Sequence, residues 1–398
     1  MAAALGVLVS CGSVKSGEEV VAASRDSKVV VAYVTSWSEV MPDPQYMTHI
    51  NYAFGHVNES FNGVKIDNEE RLRQIVDLRK QKPELKVLLS IGGWGSGRFS
   101  EMAANDEYRR AFAADCDRVV KEFALDGIDI DWEYPTSSMA NISSSPDDTE
   151  NFTLLMQDIR AAIGNEKELT LATVASARYI DFKAILPSVD FVNIMAYDMA
   201  SAPKHHSALY PSGHSGDITS DGAVTAHLKA GVPPSKLVMG MPFYGRGGDG
   251  YPSFQDYNKV GNTDTQYTEK WDEVAQVPYL ADKNDTLVFG FENPRSLAIK
   301  CQYILDKDLL GGMYWDYSGD NEQGDLRRTV AENLLGKPHK AKVLVLTERG
   351  GQHGGFTDAG LKWLAAEGAK GNFSITEINN ARNITEAYLS QLSLVIQL

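Results

Sequence analysis

The chain has 398 residues, of which 43% are hydrophobic and 23% are charged, proportions that are ordinary for a soluble globular protein with a large core. The formal net charge is −15; because nucleic-acid binding depends on Lys and Arg neutralising phosphate, we expect no nucleic-acid partner, and a neutral or cationic polymer suits this acidic chain better. The length allows one large domain plus a smaller one, and no apolar run in the sequence is long enough to span a bilayer.

The first residues form a short apolar run that ends in Leu8-Val9-Ser10-Cys11 and resembles a bacterial lipoprotein cleavage site. A polar stretch from Gly12 to Glu19 follows, as in a flexible tether. No basic residue precedes the apolar run, which fits a natural start further upstream, and a fortuitous apolar segment is the alternative. We expect residues 1–26 to be a lipoprotein-type signal and tether, with a lipid on Cys11 that anchors a secreted or cell-envelope lipoprotein of a bacterium to its membrane.

From residue 28 onward, β-branched apolar runs alternate with amphipathic helical patterns. The predicted strands are Val29–Trp37, Ile50–Gly55, Val87–Trp94, Gly127–Tyr134, Leu169–Ala175, Phe191–Asp198, Leu237–Tyr244 and Gly312–Tyr317. They are apolar on both faces, which is typical of a parallel sheet covered by helices. Eight such units over about 310 residues predict an α/β fold of the (β/α)8 TIM-barrel type; a doubly wound open sheet is the alternative, and eight repeats favour closure.

The helical patterns lie between these strands. They are Glu69–Lys82, Asp106–Leu125, Thr149–Ile163, Gly222–Ala230, Pro294–Leu305 and Leu326–Leu334. Asn68, Asn105 and Ser220 stand where N-caps are needed. Cys116 and Cys301 fall in helical stretches without metal or redox spacing, so we predict two buried free thiols rather than a disulfide.

A linker over residues 338–341 ends the series, and residues 342–398 begin a second unit. Its predicted elements are a strand (Lys342–Leu346), a helix (Asp358–Glu367) and two further strands (Phe373–Ile378 and Leu392–Gln397). This is the opening half of a flavodoxin-like α/β domain, and we expect the sequence to be truncated there. The unit resembles the start of a trehalose-utilisation-like (ThuA-type) domain at Lys342–Leu346, at Gly350-Gly351-Gln352-His353 and at Phe356–Gly360.

Three acidic residues occupy alternate positions of one predicted strand: Asp129, Asp131 and Glu133. Alternate side chains of a strand share a face, so these carboxylates are predicted to line the barrel interior and rise towards its C-terminal mouth. Three negative charges this close in a partly dry interior cannot all stay ionised. Glu133 is the outermost and therefore the candidate general acid. A solvent-facing acidic strand is the alternative, but the apolar residues between the acids require burial.

At these residues the chain resembles glycoside hydrolase family 18, the chitinase family, whose signature is DxxDxDxE. Four further segments match the family's strand-end motifs in order: Ser90-Ile91-Gly92-Gly93-Trp94, Met195-Ala196-Tyr197-Asp198, Met241-Pro242-Phe243-Tyr244-Gly245-Arg246 and Gly311-Gly312-Met313-Tyr314-Trp315. The resemblance covers about residues 27–335, and we delimit the barrel as 27–337. It implies a chitinase or related glycosidase that needs no cofactor and no metal.

The resemblance implies a retaining mechanism without an enzyme nucleophile. The substrate's own acetamido oxygen attacks the anomeric carbon while Glu133 protonates the leaving oxygen, and Glu133 then activates water. Asp131 would accept a hydrogen bond from the acetamide N–H, and Asp129 would share a proton with Asp131. Tyr197 would donate its hydroxyl to the acetamide oxygen.

The resemblance also implies substrate-binding residues at the strand ends. Asp198, Tyr244 and Arg246 would hydrogen-bond the sugar or hold the mouth in shape, and Trp315 would form the floor of the cleavage subsite. Pyranose rings stack on aromatic platforms. The remaining candidates for substrate contact are Tyr33, Phe54, Trp94 and Met195; for Trp37, Phe54 and Trp94, packing in the wall is nearly as well supported.

Many family members carry an extra α+β subdomain between the seventh and eighth strands. Here the segment of residues 247–270 is short, before a stretch (Trp271–Leu280) that resembles the usual return, so we predict a reduced wall, a shallower groove and doubtful processivity.

Three functions stay open: a chitinase acting on chitin or its N-acetylglucosamine oligosaccharides, an endo-β-N-acetylglucosaminidase acting on N-glycans, and an inactive chitin-binding lectin. The lectin usually lacks the acid, which is present here at Glu133.

Overall fold

The computed structural model of the protein describes residues 28–248, 251–260, 267–336, 341–346, 362, 364, 373–378 and 394–397. The strands of its main part are β1 (Val29–Thr35), β2 (His49–Val57), β3 (Val64–Ile66), β4 (Lys86–Gly92), β5 (Gly127–Asp131), β6 (Glu168–Val174), β7 (Phe191–Met195), β8 (Leu237–Pro242), β9 (Tyr244–Gly247), β10 (Gln255–Asp256), β11 (Thr268–Asp272), β12 (Val277–Ala281), β13 (Leu287–Gly290) and β14 (Gly311–Trp315). The helices are α1 (Glu69–Val76), α2 (Phe99–Ala104), α3 (Asp106–Glu122), α4 (Asp148–Ile163), α5 (Phe182–Ile185), α6 (Ser220–Lys229), α7 (Pro294–Asp306) and α8 (Asp325–Leu334). None of the helices in these ranges is long and apolar enough to cross a membrane.

Eight parallel strands close into a barrel. Their order around it is β1, β14, β8, β7, β6, β5, β4 and β2, and β1 pairs with both β14 and β2. β3 is an antiparallel partner of the last residues of β2 (55–57), beyond the part of β2 that pairs with β1. The predicted (β/α)8 TIM barrel is therefore confirmed over the open sheet.

The barrel strands bury both of their faces, as the apolar sequences predicted. Ile128 and Ile130 of β5 point outward into the large core shared with the helices. The interior holds a smaller apolar cluster that includes Tyr33 and Met313, and the polar Asp129 lies among side chains of four neighbouring strands. The sequence alternation of β5 thus sends its acids inward.

Seven of the eight barrel strands end earlier than the sequence predicted, because the chain leaves the sheet where the barrel mouth opens; β2 instead continues to Val57, beyond the predicted end at Gly55. β5 ends at Asp131 rather than Tyr134, and β7 ends at Met195 rather than Asp198. Glu133 and Asp198 therefore lie on loops that follow strands.

Side-chain caps mark the starts of several helices. Asn68 accepts a hydrogen bond from the N–H of Arg71, and Asn105 caps α3. The predicted cap at Ser220 is wrong: the Thr219 hydroxyl accepts from the N–H of Gly222, and Ser220 is the first helical residue.

Two cysteines lie in helices and are buried and free, as predicted. They are Cys116 of α3 and Cys301 of α7. Burial raises the pKa of each thiol above its ordinary value. Cys11 lies outside the described residues.

Between β8 and β14 the chain forms a second, antiparallel sheet. Its order is β10, β9, β13, β12 and β11. The sequence did not predict these strands, which are short and lack the long apolar runs of the barrel. The predicted reduced wall and doubtful processivity stay predictions.

Three further strands, β15 (Ala341–Leu346), β16 (Phe373–Ile378) and β17 (Leu394–Gln397), form a parallel sheet in the order β16, β15, β17. Lys362 and Leu364 are helical, inside the helix predicted for residues 358–367. The linker at 338–340 and His353 lie outside the described residues, and the flavodoxin-like domain stays a prediction.

Candidate active site

A cavity of about 680 Å³ opens at the C-terminal ends of the barrel strands. Loops after parallel strands meet at this end of a barrel, where they can bring together residues that are far apart in sequence. The predicted residues that line the cavity are Tyr33, Phe54, Trp94, Asp131, Glu133, Met195, Tyr197, Asp198, Tyr244, Arg246 and Trp315. Asp129 lies beneath them in the barrel and does not reach the cavity wall.

Two glycines at the end of β4 allow this strand to approach β5 and the wall of the cavity. Gly92 has a φ of 132°, and a Cβ there would lie 2.0 Å from the carbonyl oxygen of Asp131. Gly93 has a φ of 94° and a Cβ would meet the ring of Phe54, while its N–H donates to the Asp131 carbonyl at 2.8 Å. These positions need glycine because a side chain has no room in this conformation.

Asp129 is completely buried and accepts hydrogen bonds on both carboxylate oxygens. Oδ2 accepts from the hydroxyls of Tyr33 (2.9 Å) and Ser90 (2.8 Å). Oδ1 accepts from the hydroxyl of Thr170 (2.6 Å) and from the amide of Asn193 (3.4 Å). Burial raises the pKa of Asp129, and these four donors oppose that effect.

Asp131 is also buried, but it lacks the hydrogen bonds that Asp129 accepts. Among the described residues its side chain receives no hydrogen bond, and Oδ1 is fully buried without a partner. Burial, together with the charges of Glu133 and Asp129, raises the pKa of Asp131 well above its ordinary value. The predicted proton sharing does not appear here as a hydrogen bond between Asp131 and Asp129; the two carboxyls interact through charge repulsion.

Glu133 lies two residues beyond β5, at the cavity. Burial raises its pKa to about 7; a hydrogen bond with Tyr134 opposes the rise, and the negative charge of Asp198 adds to it. A carboxyl with this pKa can donate a proton near neutral pH and accept one in a later step. Because their negative charges repel each other, Asp131 and Glu133 hold at least one proton between them near neutral pH.

A second ionic group faces this pair. Asp198 has a φ of 54° and receives two hydrogen bonds from Arg246, Nε to Oδ1 at 2.7 Å and Nη2 to Oδ2 at 2.5 Å. Burial alone would raise the pKa of Asp198, but Arg246 and His206 hold it well below its ordinary range. Asp198 is therefore a fixed negative charge at the cavity wall.

Tyr197 brings its hydroxyl into the cavity beside this charge. Its ring lies 6.0 Å from that of Tyr244 in an edge-on arrangement, and its hydroxyl lies 3.9 Å from Sδ of Met313. Burial and the nearby acids raise the pKa of Tyr197, so the phenol keeps its proton and remains a donor.

Aromatic rings form the floor and the walls. Trp315 stacks on Phe54 at 5.6 Å and lies 5.6 Å from the ring of Tyr33. Trp37 and Trp94 also line the cavity and remain 64% and 61% exposed. Large exposed aromatic rings around a polar centre form the platforms on which pyranose rings stack.

Sequence reasoning missed several residues of the wall, of which Phe254 and Met139 are the large exposed side chains. Phe254 of the insert is 43% exposed and stacks on Tyr244 at a centroid distance of 4.7 Å. Met139 projects from the loop after β5. Neither carries a motif, since both lie on loops whose path depends on the tertiary fold.

No group of His, Cys, Asp and Glu side chains suited to a metal ion was found within the described part of the chain. The chemistry that the cavity offers is proton transfer by carboxyls near a phenol and an ionic pair. A TIM barrel whose β5 carries such acids to an aromatic-lined mouth defines the class: a glycoside hydrolase.

The chain belongs to glycosyl hydrolases family 18, whose model matches residues 29–320. It is 30% identical to chitinase A1 of Niallia circulans, covering 76% of this chain but only 58% of that protein. It is 31% identical to chitotriosidase-1 of Mus musculus, with 74% of both chains covered. Among solved structures, a family 18 N-acetylglucosaminidase from Paenibacillus barengoltzii matches with a TM-score of 0.71 and 32% identity, over 77% of this chain and 99% of that one. A Group IV chitinase of Ostrinia furnacalis in complex with allosamidin matches with a TM-score of 0.69 and 29% identity, over 76% and 97%.

Proposed function

We propose that this glycoside hydrolase is a chitinase that hydrolyses β-1,4 bonds between N-acetylglucosamine units with retention of configuration. The observation that carries the proposal is the placement of Asp131 and Glu133 at an aromatic-lined cavity, where burial raises the pKa of Glu133 to about 7. The matching relatives named chitinase and chitotriosidase support chitin as the substrate.

In the first step Glu133 gives its proton to the glycosidic oxygen while the bond from that oxygen to the anomeric carbon breaks. The acetamido carbonyl oxygen of the same sugar attacks the anomeric carbon and forms an oxazolinium ion. Asp131 accepts a hydrogen bond from the acetamide N–H and so orients the acetamide for the attack, while Tyr197 donates its hydroxyl to the acetamide oxygen.

In the second step the ionised Glu133 takes a proton from water. The water oxygen bonds to the anomeric carbon on the face that the leaving group left, the oxazolinium ring opens to acetamide, and Glu133 is protonated again. The configuration is retained because two displacements occur at the same carbon.

The supporting role of Asp129 differs from that of the outer acids. Its carboxyl accepts four hydrogen bonds in the barrel interior and does not reach the cavity. Burial and the negative charges of Glu133 and Asp129 raise the pKa of Asp131, which favours the protonated form of Asp131 before substrate binds.

The alternatives are weaker. An endo-β-N-acetylglucosaminidase acting on N-glycans would use the same acids, but the matching relatives are named for chitin chemistry or for N-acetylglucosaminidase activity. An inactive lectin has no use for a carboxyl with the raised pKa of Glu133.

Product analysis on chitooligosaccharides of defined length tests the substrate and separates endo from exo action. Glu133→Gln should lower turnover by at least about 10²–10⁴-fold while sugar binding persists, because the amide keeps the shape but cannot donate the proton. Near-normal turnover by this variant would refute the assignment of the acid. A glycoprotein substrate that is deglycosylated in preference to chitooligosaccharides would favour the N-glycan alternative.

The mechanism has its own test. Fully deacetylated chitosan should be inert, because it lacks the acetamide nucleophile, and a thiazoline analogue of the cyclic intermediate should bind far more tightly than substrate. A covalent glycosyl adduct trapped on Asp129 or Asp131 with fluorosugar probes would overturn substrate assistance.

For the rest of the chain, we propose that residues 342–398 belong to a ThuA-like α/β domain joined through residues 338–341. The parallel order of β16, β15 and β17 supports this interpretation. We also propose that residues 1–26 carry a lipid signal at Cys11, which would place the barrel on a bacterial cell envelope.

A further inference from the structure

A histidine outside the motifs lies directly behind the ionic group of the cavity. His206 is completely buried, on the long loop between β7 and α6. Its Nδ1 lies 3.5 Å from Oδ1 of Asp198, and its ring lies 5.3 Å from that of Tyr244. Neither ring nitrogen has a hydrogen bond of good geometry elsewhere in the described residues. Burying an imidazole without a hydrogen-bond partner destabilises the fold, and Asp198 is the polar group that His206 approaches.

Two side chains hold the carboxylate of Asp198 in place. Arg246 binds both of its oxygens, and His206 approaches Oδ1. The guanidinium of Arg246 lies 5.4 Å from the ring centroid of Tyr244, which also faces His206. Rotation of the Asp198 carboxylate would break at least one of these contacts.

The backbone around His206 is itself held firmly. Its carbonyl accepts from the N–H of Met199 at 3.0 Å, which closes the loop just after Asp198. The next residue, Ser207, donates its hydroxyl to Glu292 at 2.6 Å, and its carbonyl accepts from Lys300 at 2.5 Å.

Lys300 and Glu292 form an ion pair that is completely buried. A pair taken out of water needs additional hydrogen bonds to offset its desolvation, and Ser207 supplies them from the loop. The position of His206 is therefore fixed through its neighbour by α7 and by the end of the inserted sheet, not by the loop alone.

We infer that His206 is a positioning residue for the family 18 reaction, which orients the Asp198 carboxylate beside Tyr197 and Glu133. The inference rests on the proposed function. Asp198 follows Tyr197 in the chain, and its charge acts on both Tyr197 and Glu133. If the Asp198 carboxylate rotates away, Tyr197 and Glu133 lose the fixed negative charge beside them, and the geometry of the reacting groups is less well defined.

The test compares three substitutions of His206. His206→Asn keeps a donor near the position of Nδ1, His206→Gln moves the donor towards the position of Nε2, and His206→Leu removes it while keeping bulk. We expect His206→Leu and His206→Gln to lower kcat about tenfold to 10²-fold with a smaller change in KM, because the contact matters in the transition state. His206→Asn should restore most of the loss.

A matched control removes another buried imidazole. His227 of α6 is also completely buried, bonds to the Ala223 carbonyl and contacts Phe182 rather than the cavity. His227→Leu should lower the melting temperature but leave kcat of the folded enzyme unchanged. A fall in kcat equal to that of His206→Leu would mean that loss of packing explains both.

A double-mutant cycle with Asp198→Asn completes the experiment. If His206 acts through Asp198, His206→Leu should cause little further loss in the Asp198→Asn background. Additive losses, or equal activity of His206→Asn and His206→Gln, would overturn the inference. The parent is assayed first on chitooligosaccharides; an inactive parent would refute the proposed function instead, and the two failures are thereby distinguished.

Discussion

Raising the pH from about 6 to about 8 should slow the first catalytic step, because this step needs the protonated form of Glu133. Burial and the charge of Asp198 raise the pKa of Glu133 to about 7. With this value, about nine-tenths of the enzyme carries the proton at pH 6 and about one-tenth at pH 8, so kcat/KM should fall about tenfold. A carboxyl of ordinary pKa would already be about 97% ionised at pH 6, and its activity would fall about 100-fold over the same interval.

The assay measures initial rates on a fluorogenic chitobioside at concentrations well below KM from about pH 4 to about pH 9. Preincubation at each pH, followed by assay at a common pH, separates titration from inactivation. Asp198→Asn removes the neighbouring negative charge and should lower the midpoint of the alkaline limb. A midpoint below about pH 5 in the parent would refute the argument that burial tunes Glu133, and a midpoint that Asp198→Asn raises would refute the role given to the charge.

Glu133→Gln should raise the melting temperature relative to the parent at about pH 8 but hardly at about pH 4. The pKa of Glu133 is higher in the folded state than in the unfolded chain, so its ionisation favours unfolding as the pH rises through this window; equal differences in calorimetry at both pH values would contradict this. Phe254→Ala should raise KM for chitooligosaccharides about twofold to tenfold with little change in kcat, because the ring forms a wall and not part of the acid pair; steady-state kinetics that show a loss confined to kcat would argue against a stacking role. Cys11→Ser should leave activity intact and release the protein from membranes in a bacterial host, and cell fractionation in which the variant stays with membranes like its parent would count against the lipid anchor.

The barrel could be predicted from the sequence because its strands are apolar runs that no other pattern in the chain resembles. The alternation of apolar and acidic residues in β5 was informative as well. Ile128 and Ile130 belong to the outer core, so Asp129 must face inward, and its four hydrogen-bond donors come from strands β1, β4, β6 and β7. A period of two residues was sufficient to place this acid.

Other parts could not be predicted because they depend on contacts between distant segments. Ser220 and Thr219 are equally good caps by residue type, and only the path of the loop before α6 decides between them. The strands of the insert are too short to give a pattern, so Phe254 could not be placed opposite Arg246. His206 carries no motif, and its role depends on a loop that α7 holds in place.

The buried thiols of Cys116 and Cys301 make the barrel a reporter of its own opening. Cys116 lies in α3 and Cys301 in α7, and both are fully buried. The raised pKa of each thiol leaves little thiolate at neutral pH. A maleimide probe should therefore label either thiol only when its helix separates from the barrel. Because α3 packs beside β5 and α7 precedes β14, the relative labelling rates of the two cysteines compare opening on the side of the catalytic acids with opening on the side of the aromatic floor.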